Sequence, residues 1–261
     1  MAGYRESRMR VDGCNTVLRR GGNGPPLLFL HGAGGFGIWG DFHDRLASRF
    51  DVLAPSHPGF DGSDDPPWLD RVADLGHFYL DLMQALGLEQ VHLVGHSLGG
   101  WLAAEIATRD TRRLASVTLM CAAGIHVEGI AQLDTFLLAP DERVRRQFVD
   151  KAKAESLAAR VSDPANLDLV LKNQETAARL AWQPRLYDPH LRKWLHRIDR
   201  PTLVLWGDSD PIFPAAYAEA YGRLIPGAKA VVIERCGHQP NVEHPAETAT
   251  AITTFIEGLS A

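Results

Sequence analysis

The sequence predicts an α/β domain built on a mostly parallel, doubly wound sheet, and three observations predict it. Short runs rich in Val, Leu and Ile alternate with segments of helical length and period along most of the chain. These runs lack polar alternation, as suits strands covered on both faces. At 261 residues, with 45% hydrophobic and 23% charged residues, the chain has the length and apolar content for one large core.

The elements follow in order. The stretch up to Arg20 is read as antiparallel edge strands. Apolar runs at 27–30, 51–54, 91–94, 116–121, 202–206 and 229–233 are read as the parallel strands, most of them ending at Gly or Pro. Between or after them lie helical segments at 41–49, 70–86, 98–109, 215–224 and 245–259. Strand and helix in alternation need crossover connections, which give a parallel sheet. One interval breaks the rhythm. From Ile125 to His196 there is no convincing strand, only charged helical patterns at 141–160 and 167–180 and a link around Trp182 and Pro184. It is too long for a loop between neighbouring strands. The expected organisation is therefore a core domain of 1–124 and 197–261, with 125–196 inserted as a helical lid. The charge run Glu142-Arg143-Val144-Arg145-Arg146 is read as a solvated helix face.

Composition excludes several classes. Lys and Arg total 27 against 32 Asp and Glu, a net charge of −5, which lacks the basic footprint of a nucleic-acid binder. The three cysteines, Cys14, Cys121 and Cys236, form no C-x-x-C pair and read as small buried hydrophobes in a reducing compartment. Arg5, Glu6, Arg8, Arg10 and Asp12 interrupt any apolar stretch at the start, and no later run is long enough to span a bilayer. The expected location is cytoplasmic.

The segment that carries chemistry is Val91-His92-Leu93-Val94-Gly95-His96-Ser97-Leu98-Gly99-Gly100. It places G-x-S-x-G between a strand and an Ala-rich helix. So tight a strand-to-helix turn strains the serine backbone and projects its hydroxyl, while Gly95 and Gly99 relieve crowding on either side. Ser97 then stands at a helix N-terminus, which favours developing negative charge. A serine nucleophile needs a base, and the base needs an orienting acid. Acids follow one later strand at Asp208 and Asp210. An imidazole follows the next at His238, one of 11 histidines in the chain. A glycine-rich loop, His31-Gly32-Ala33-Gly34-Gly35, can aim backbone N–H groups at a reacting oxygen together with the amide of Leu98. It lacks the Lys and Ser/Thr of a phosphate loop. No H-E-x-x-H is present, and His92 and His96 leave a strand instead of sharing a helix face, so no metal and no cofactor are expected.

In combination these motifs resemble the α/β-hydrolase superfamily, over nearly the whole length. The resemblance implies Ser97 as nucleophile, His238 as base and Asp210, not Asp208, as the acid. It implies an oxyanion hole from the backbone of Leu98 and of Ala33 or Gly34, and a cap inserted after the sixth strand. Pro58-Gly59-Phe60-Asp61-Gly62-Ser63 is similar to the family's P-G-x-G-x-S loop with Asp61 at a usual glycine, and Ser56 stands where Asp is common. Serine at the elbow argues against the epoxide-hydrolase and haloalkane-dehalogenase branches. The implied activity is acyl transfer to water, on a carboxylic ester with a small to medium apolar acyl group. The alternative is hydrolysis of a carbon–carbon bond in ring-fission dienoates. Residues 31–39, Cys236-Gly237-His238 and Glu243-His244 resemble that branch, whereas Gly35, Leu98 and Gln239 depart from it. A third reading is a ligand receptor or lyase on the same fold. The expected partner is a small apolar ester or related carbonyl compound. Trp39, Trp101, Phe136, Leu137, Leu138 and Trp182 are the candidates for an apolar pocket. His96, beside the serine, is expected to pack there or to bond a loop.

Overall fold

The computed structural model describes residues 3–259. Strands β1 (Tyr4–Val11) and β2 (Cys14–Gly21) form the expected antiparallel hairpin, turning through Asp12 and Gly13 at positive φ. The remaining strands are β3 (Pro26–Leu30), β4 (Asp51–Pro55), β5 (Val91–His96), β6 (Leu114–Met120), β7 (Thr202–Gly207) and β8 (Lys229–Ile233). They complete one eight-stranded sheet in the order β1-β2-β4-β3-β5-β6-β7-β8, parallel from β4 onward.

Side-chain alternation sorts the core onto the two faces. Leu28 and Leu30 of β3 join Leu93, Leu119 and Trp206 beneath helices α2 (Val72–Ala85) and α3 (Leu98–Arg109). Leu27 and Phe29 point the other way, with Val94, Met120 and Leu205, against α1 (Asp41–Ala47) and the last helix (Pro245–Glu257). This two-sided cover explains the unbroken apolar runs of β3, β5 and β7. Strand β8 departs from that expectation. It is the sheet edge, and Val231 and Val232 are 37% and 48% exposed.

The segment between β6 and β7 contains α4 (Pro140–Gln147), α5 (Lys151–Val161) and α6 (Leu167–Ala181), with short 3-10 turns before α4, between α5 and α6, and after α6. The single helix expected over 141–160 is broken. The amides of Val149 and Asp150 donate to the Glu243 carboxylate, and the Asp150 side chain caps α5. Helices α7 (Ala216–Leu224), α8 (Pro240–Glu243) and α9 (Pro245–Glu257) finish the chain. Among the described residues no helix is long and apolar enough to cross a membrane.

Candidate active site

Three loops meet at the carboxyl ends of the parallel strands, where an open α/β sheet presents its crevice. The first is the turn from β5 into α3. Ser97 has φ 54° and ψ −113°, a strained conformation for a residue with a side chain. A Cβ on Gly95 would lie 2.1 Å from the Gly99 carbonyl oxygen, and one on Gly99 would lie 2.1 Å from that of Leu30. Only glycine lets the helix start that close to the strands. The Ser97 amide donates to Met120 O at 2.9 Å, which ties the turn to β6.

The second and third loops follow β7 and β8. His238 is 2% exposed, and its Nδ1–H donates to Asp210 Oδ2 at 2.7 Å. Its Nε2 accepts from Ser97 Oγ at 2.9 Å. The other oxygen of Asp210 accepts the amides of Ile212 and Phe213 at 2.8 and 3.0 Å, which fixes the carboxylate. The structure thus joins Ser97, His238 and Asp210 in one hydrogen-bonded chain. Asp208 lies apart from it. Its carboxylate accepts from the Cys236 amide at 3.1 Å, and backbone donors hold its pKa below the usual value.

The glycine-rich loop stands over the serine. A Cβ on Gly32 would come within 3.3 Å of Ser97 Cβ. Gly35 N–H closes a turn onto Gly32 O at 3.1 Å. Among the described residues the amides of Ala33 and Gly34 donate to no protein acceptor. Leu98 is the first residue of α3, so its amide has no intrahelical acceptor either. Asp61 anchors the loop. Its side chain is 8% exposed, and it accepts from the Phe36 amide at 2.5 Å and from Asn173 Nδ2 at 2.9 Å. Asp61 has φ 47°, the left-handed conformation that accounts for the glycine expected at this position.

These groups line a cavity of about 390 Å³ shared by the sheet end and the segment between β6 and β7. Ala33, Gly34, His96, Ser97, Phe136 and His238 are on its wall. The other pocket candidates are elsewhere. Trp39 stacks on Tyr4 at 4.9 Å and donates to Asp44, and Trp101 is core, donating to Glu105. Leu137 is 72% exposed, Leu138 is absent from the wall, and Trp182 lies on the surface with the Arg185 guanidinium 3.5 Å from its ring. Phe29, Phe36, Phe42, Phe213, Val144 and Val170 supply the apolar wall that the sequence did not single out.

Two further groups hold the base in place. The Gln147 carbonyl, at the end of α4, accepts the His238 amide at 2.7 Å. The buried Glu243 carboxylate accepts the amides of Gly237, Val149 and Asp150 at 2.6, 2.7 and 2.8 Å. Neither was legible beforehand, although Glu243 lies in the tail motif. His96 bonds the same loop, its Nε2–H donating to His238 O at 2.8 Å. Burial lowers the His96 pKa to about 3, so the ring stays neutral.

One set of potential metal donors, Cys121, Asp210 and His238, lies within 4.8 Å of one another. Burial and the neighbouring Asp210 charge push the Cys121 thiol well up, which keeps it protonated and a poor ligand. Both Asp210 oxygens and both His238 ring nitrogens already have partners.

The chain is similar in sequence or in fold to several known proteins. Pimeloyl-(acyl-carrier protein) methyl ester esterase of Aeromonas hydrophila is 28% identical over 256 residues, covering 93% of this chain and 99% of its own. The 2-hydroxy-6-oxo-6-(2'-aminophenyl)hexa-2,4-dienoic acid hydrolase of Metapseudomonas resinovorans is 25% identical over 276 residues, covering 97% and 91%. The crystal structure of a membrane phospholipase A superposes with a TM-score of 0.84 at 27% identity, covering 99% of this chain and 87% of that one. A family profile described as alpha/beta hydrolase fold matches residues 25–245, and the chain belongs to that family.

Proposed function

We propose that this hydrolase works through a Ser97–His238–Asp210 triad and an acyl-enzyme, and that its substrate is a carboxylic ester. The observation that carries the reading is the continuous relay from Ser97 Oγ through His238 to Asp210, opening onto a mainly apolar cavity. Ser97 Oγ attacks the substrate carbonyl carbon while His238 Nε2 takes the hydroxyl proton. Asp210 keeps Nδ1 protonated and stabilises the imidazolium that forms. The oxyanion is received by the amide of Leu98 and that of Ala33 or Gly34, each donor being worth about 3–4 kcal/mol to the transition state. Collapse of the tetrahedral intermediate passes the proton from His238 to the leaving alcohol. Water, activated by the same ring, then attacks the acyl-enzyme, and serine leaves with its proton restored. In this reading the segment 125–196 is a cap closing the cavity over the core.

Carbon–carbon hydrolysis is the second reading, favoured by the similarity over 97% of this chain to a dienoic acid hydrolase. A panel of nitrophenyl esters, lactones and ring-fission dienoates, run beside Ser97→Ala, separates the two. The expected result is ester turnover and labelling by a fluorophosphonate, both lost in Ser97→Ala. Folded protein that takes no label would overturn the nucleophile assignment, and labelling without turnover on any class would favour a receptor or lyase.

A further inference from the structure

The run 142–146 does not form a uniformly solvated face. Helix α4 turns Val144 and Gln147 inward, Phe148 just past its end is buried too, and Arg143 falls beside Val144 and one turn from Gln147 on the cavity side. Arg145 pairs with Asp141 at 2.5 Å and Glu155 at 2.8 Å, and Arg146 pairs with Glu142 at 3.6 Å. Arg143 instead lines the cavity, and among the described residues no carboxylate lies within 4.0 Å of it.

Among the described residues its one side-chain anchor is neutral. With the Gln174 amide turned so that its oxygen faces the arginine, that oxygen accepts from Nη1 and Nη2 at 3.2 Å each. The guanidinium is held in position between α4 and α6 without its charge being cancelled. Carboxylates elsewhere on the wall are already engaged. Asp41 accepts from Arg45 at 2.8 Å, and Asp61 accepts from Phe36 and Asn173. Arg160, the second cationic residue on the wall, reaches only the Gly37 carbonyl among the described residues, at 3.5 Å. Burial lowers the Arg143 pKa from its ordinary value, with no opposing charge to restore it. A half-enclosed guanidinium with spare donors is matched by a planar, bidentate oxyanion.

We propose that Arg143 forms an anion subsite of the cavity, which receives a carboxylate carried on the acyl chain of the substrate, away from the scissile carbonyl. Arg143 is one turn, about 6 Å, along α4 from Gln147, whose carbonyl lies 2.7 Å from the His238 amide, and Arg143, Ser97 and His238 line the same cavity. The preferred substrates are then esters whose acyl chain carries a second carboxylate. This revises the expectation of a wholly apolar acyl group, and it rests on Ser97 being the centre of ester turnover.

The test compares the 4-nitrophenyl half-ester of adipic acid with 4-nitrophenyl hexanoate, which has a methyl group where the half-ester has its carboxylate. The native enzyme should favour the half-ester in kcat/KM by tenfold or more. Arg143→Gln should lower that ratio at least tenfold, chiefly through KM, and Arg143→Lys should retain part of it. A ratio unchanged in Arg143→Gln overturns the proposal, whatever happens to the separate rates. If neither ester turns over, the ester reading fails by itself, and the subsite is then read by calorimetric binding of adipate to Ser97→Ala. Binding that Arg143→Gln weakens tenfold supports the subsite, and absent or unaltered binding overturns it.

Discussion

Lowering the pH from 7.5 to 5.5 should remove about 4 kcal/mol of folding stability, through histidines buried as neutral rings. Burial lowers His31, His43 and His96 to a pKa of about 3. In each the hydrogen bonds suit a neutral tautomer. His31 Nδ1–H donates to Gly32 O at 2.8 Å while Nε2 accepts from the His57 amide at 3.0 Å. His43 Nδ1 accepts from the Gly40 amide at 3.2 Å, leaving Nε2 buried without a partner among rings of Phe29, Phe36, Trp39 and Phe42. The unfolded chain binds protons at these positions near pH 6.5, and the folded protein does not. Stability is therefore complete above pH 6.5 and is lost as the pH falls towards 3. At pH 5.5 each site contributes a loss of between about 1 and 2 kcal/mol, and His57, lowered in the same direction, adds to it. The assay is urea unfolding at constant ionic strength, in which the midpoint should fall by about 1–2 M. His43→Phe should reduce the proton uptake on unfolding by about one. A midpoint that moves by only a few tenths molar would refute the assignment of these rings as neutral in the folded state.

Two other expectations concern the site itself. Asp210→Asn should lower kcat by about 10⁴-fold through loss of the tautomer-fixing carboxylate, while Asp208→Asn costs less than tenfold; steady-state kinetics decide between them, and the reverse order would relocate the acid. Asp61→Gly relieves a left-handed backbone costing about 1–2 kcal/mol but removes two hydrogen bonds to a carboxylate worth about 1.5–3 kcal/mol each. The net should be a loss of about 2–4 kcal/mol in denaturant unfolding, with kcat falling more than KM changes as the glycine loop loosens.

Much of the fold was legible because its signals are local. The runs at 27–30 and 202–206 announce strands covered on both faces, and Gly95 and Gly99 announce a turn that tolerates no side chain. The serine and histidine could be read from strand ends, whereas choosing Asp210 over Asp208 required the family resemblance. What stayed hidden is long-range. Nothing in the neighbourhood of Gln147 reveals that its carbonyl meets a residue 91 positions later. Trp101 and Trp182 have the composition of a pocket wall, but one packs in the core beside Glu105 and the other lies against Arg185. The inward turn of Arg143 was within reach of helical periodicity, since Val144 and Phe148 mark the inward side, and the charge run obscured it.

The helices between β6 and β7 are fastened to different parts of the site. The carbonyl of Gln147 and the carboxylate of Glu243 together fasten the end of α4 and the start of α5 to the loop that carries His238. Lifting α4 as a trapdoor would pull the base away from Ser97, so that edge behaves as a fixed jamb. Helix α6 is attached elsewhere, Asn173 to Asp61 and Gly34, Thr176 to the Gly59 carbonyl, and Lys172 and Arg179 to Asp65. Moving α4 would therefore disturb the base, whereas moving α6 would disturb the glycine loop over Ser97, so each helix is geared to a different half of the site.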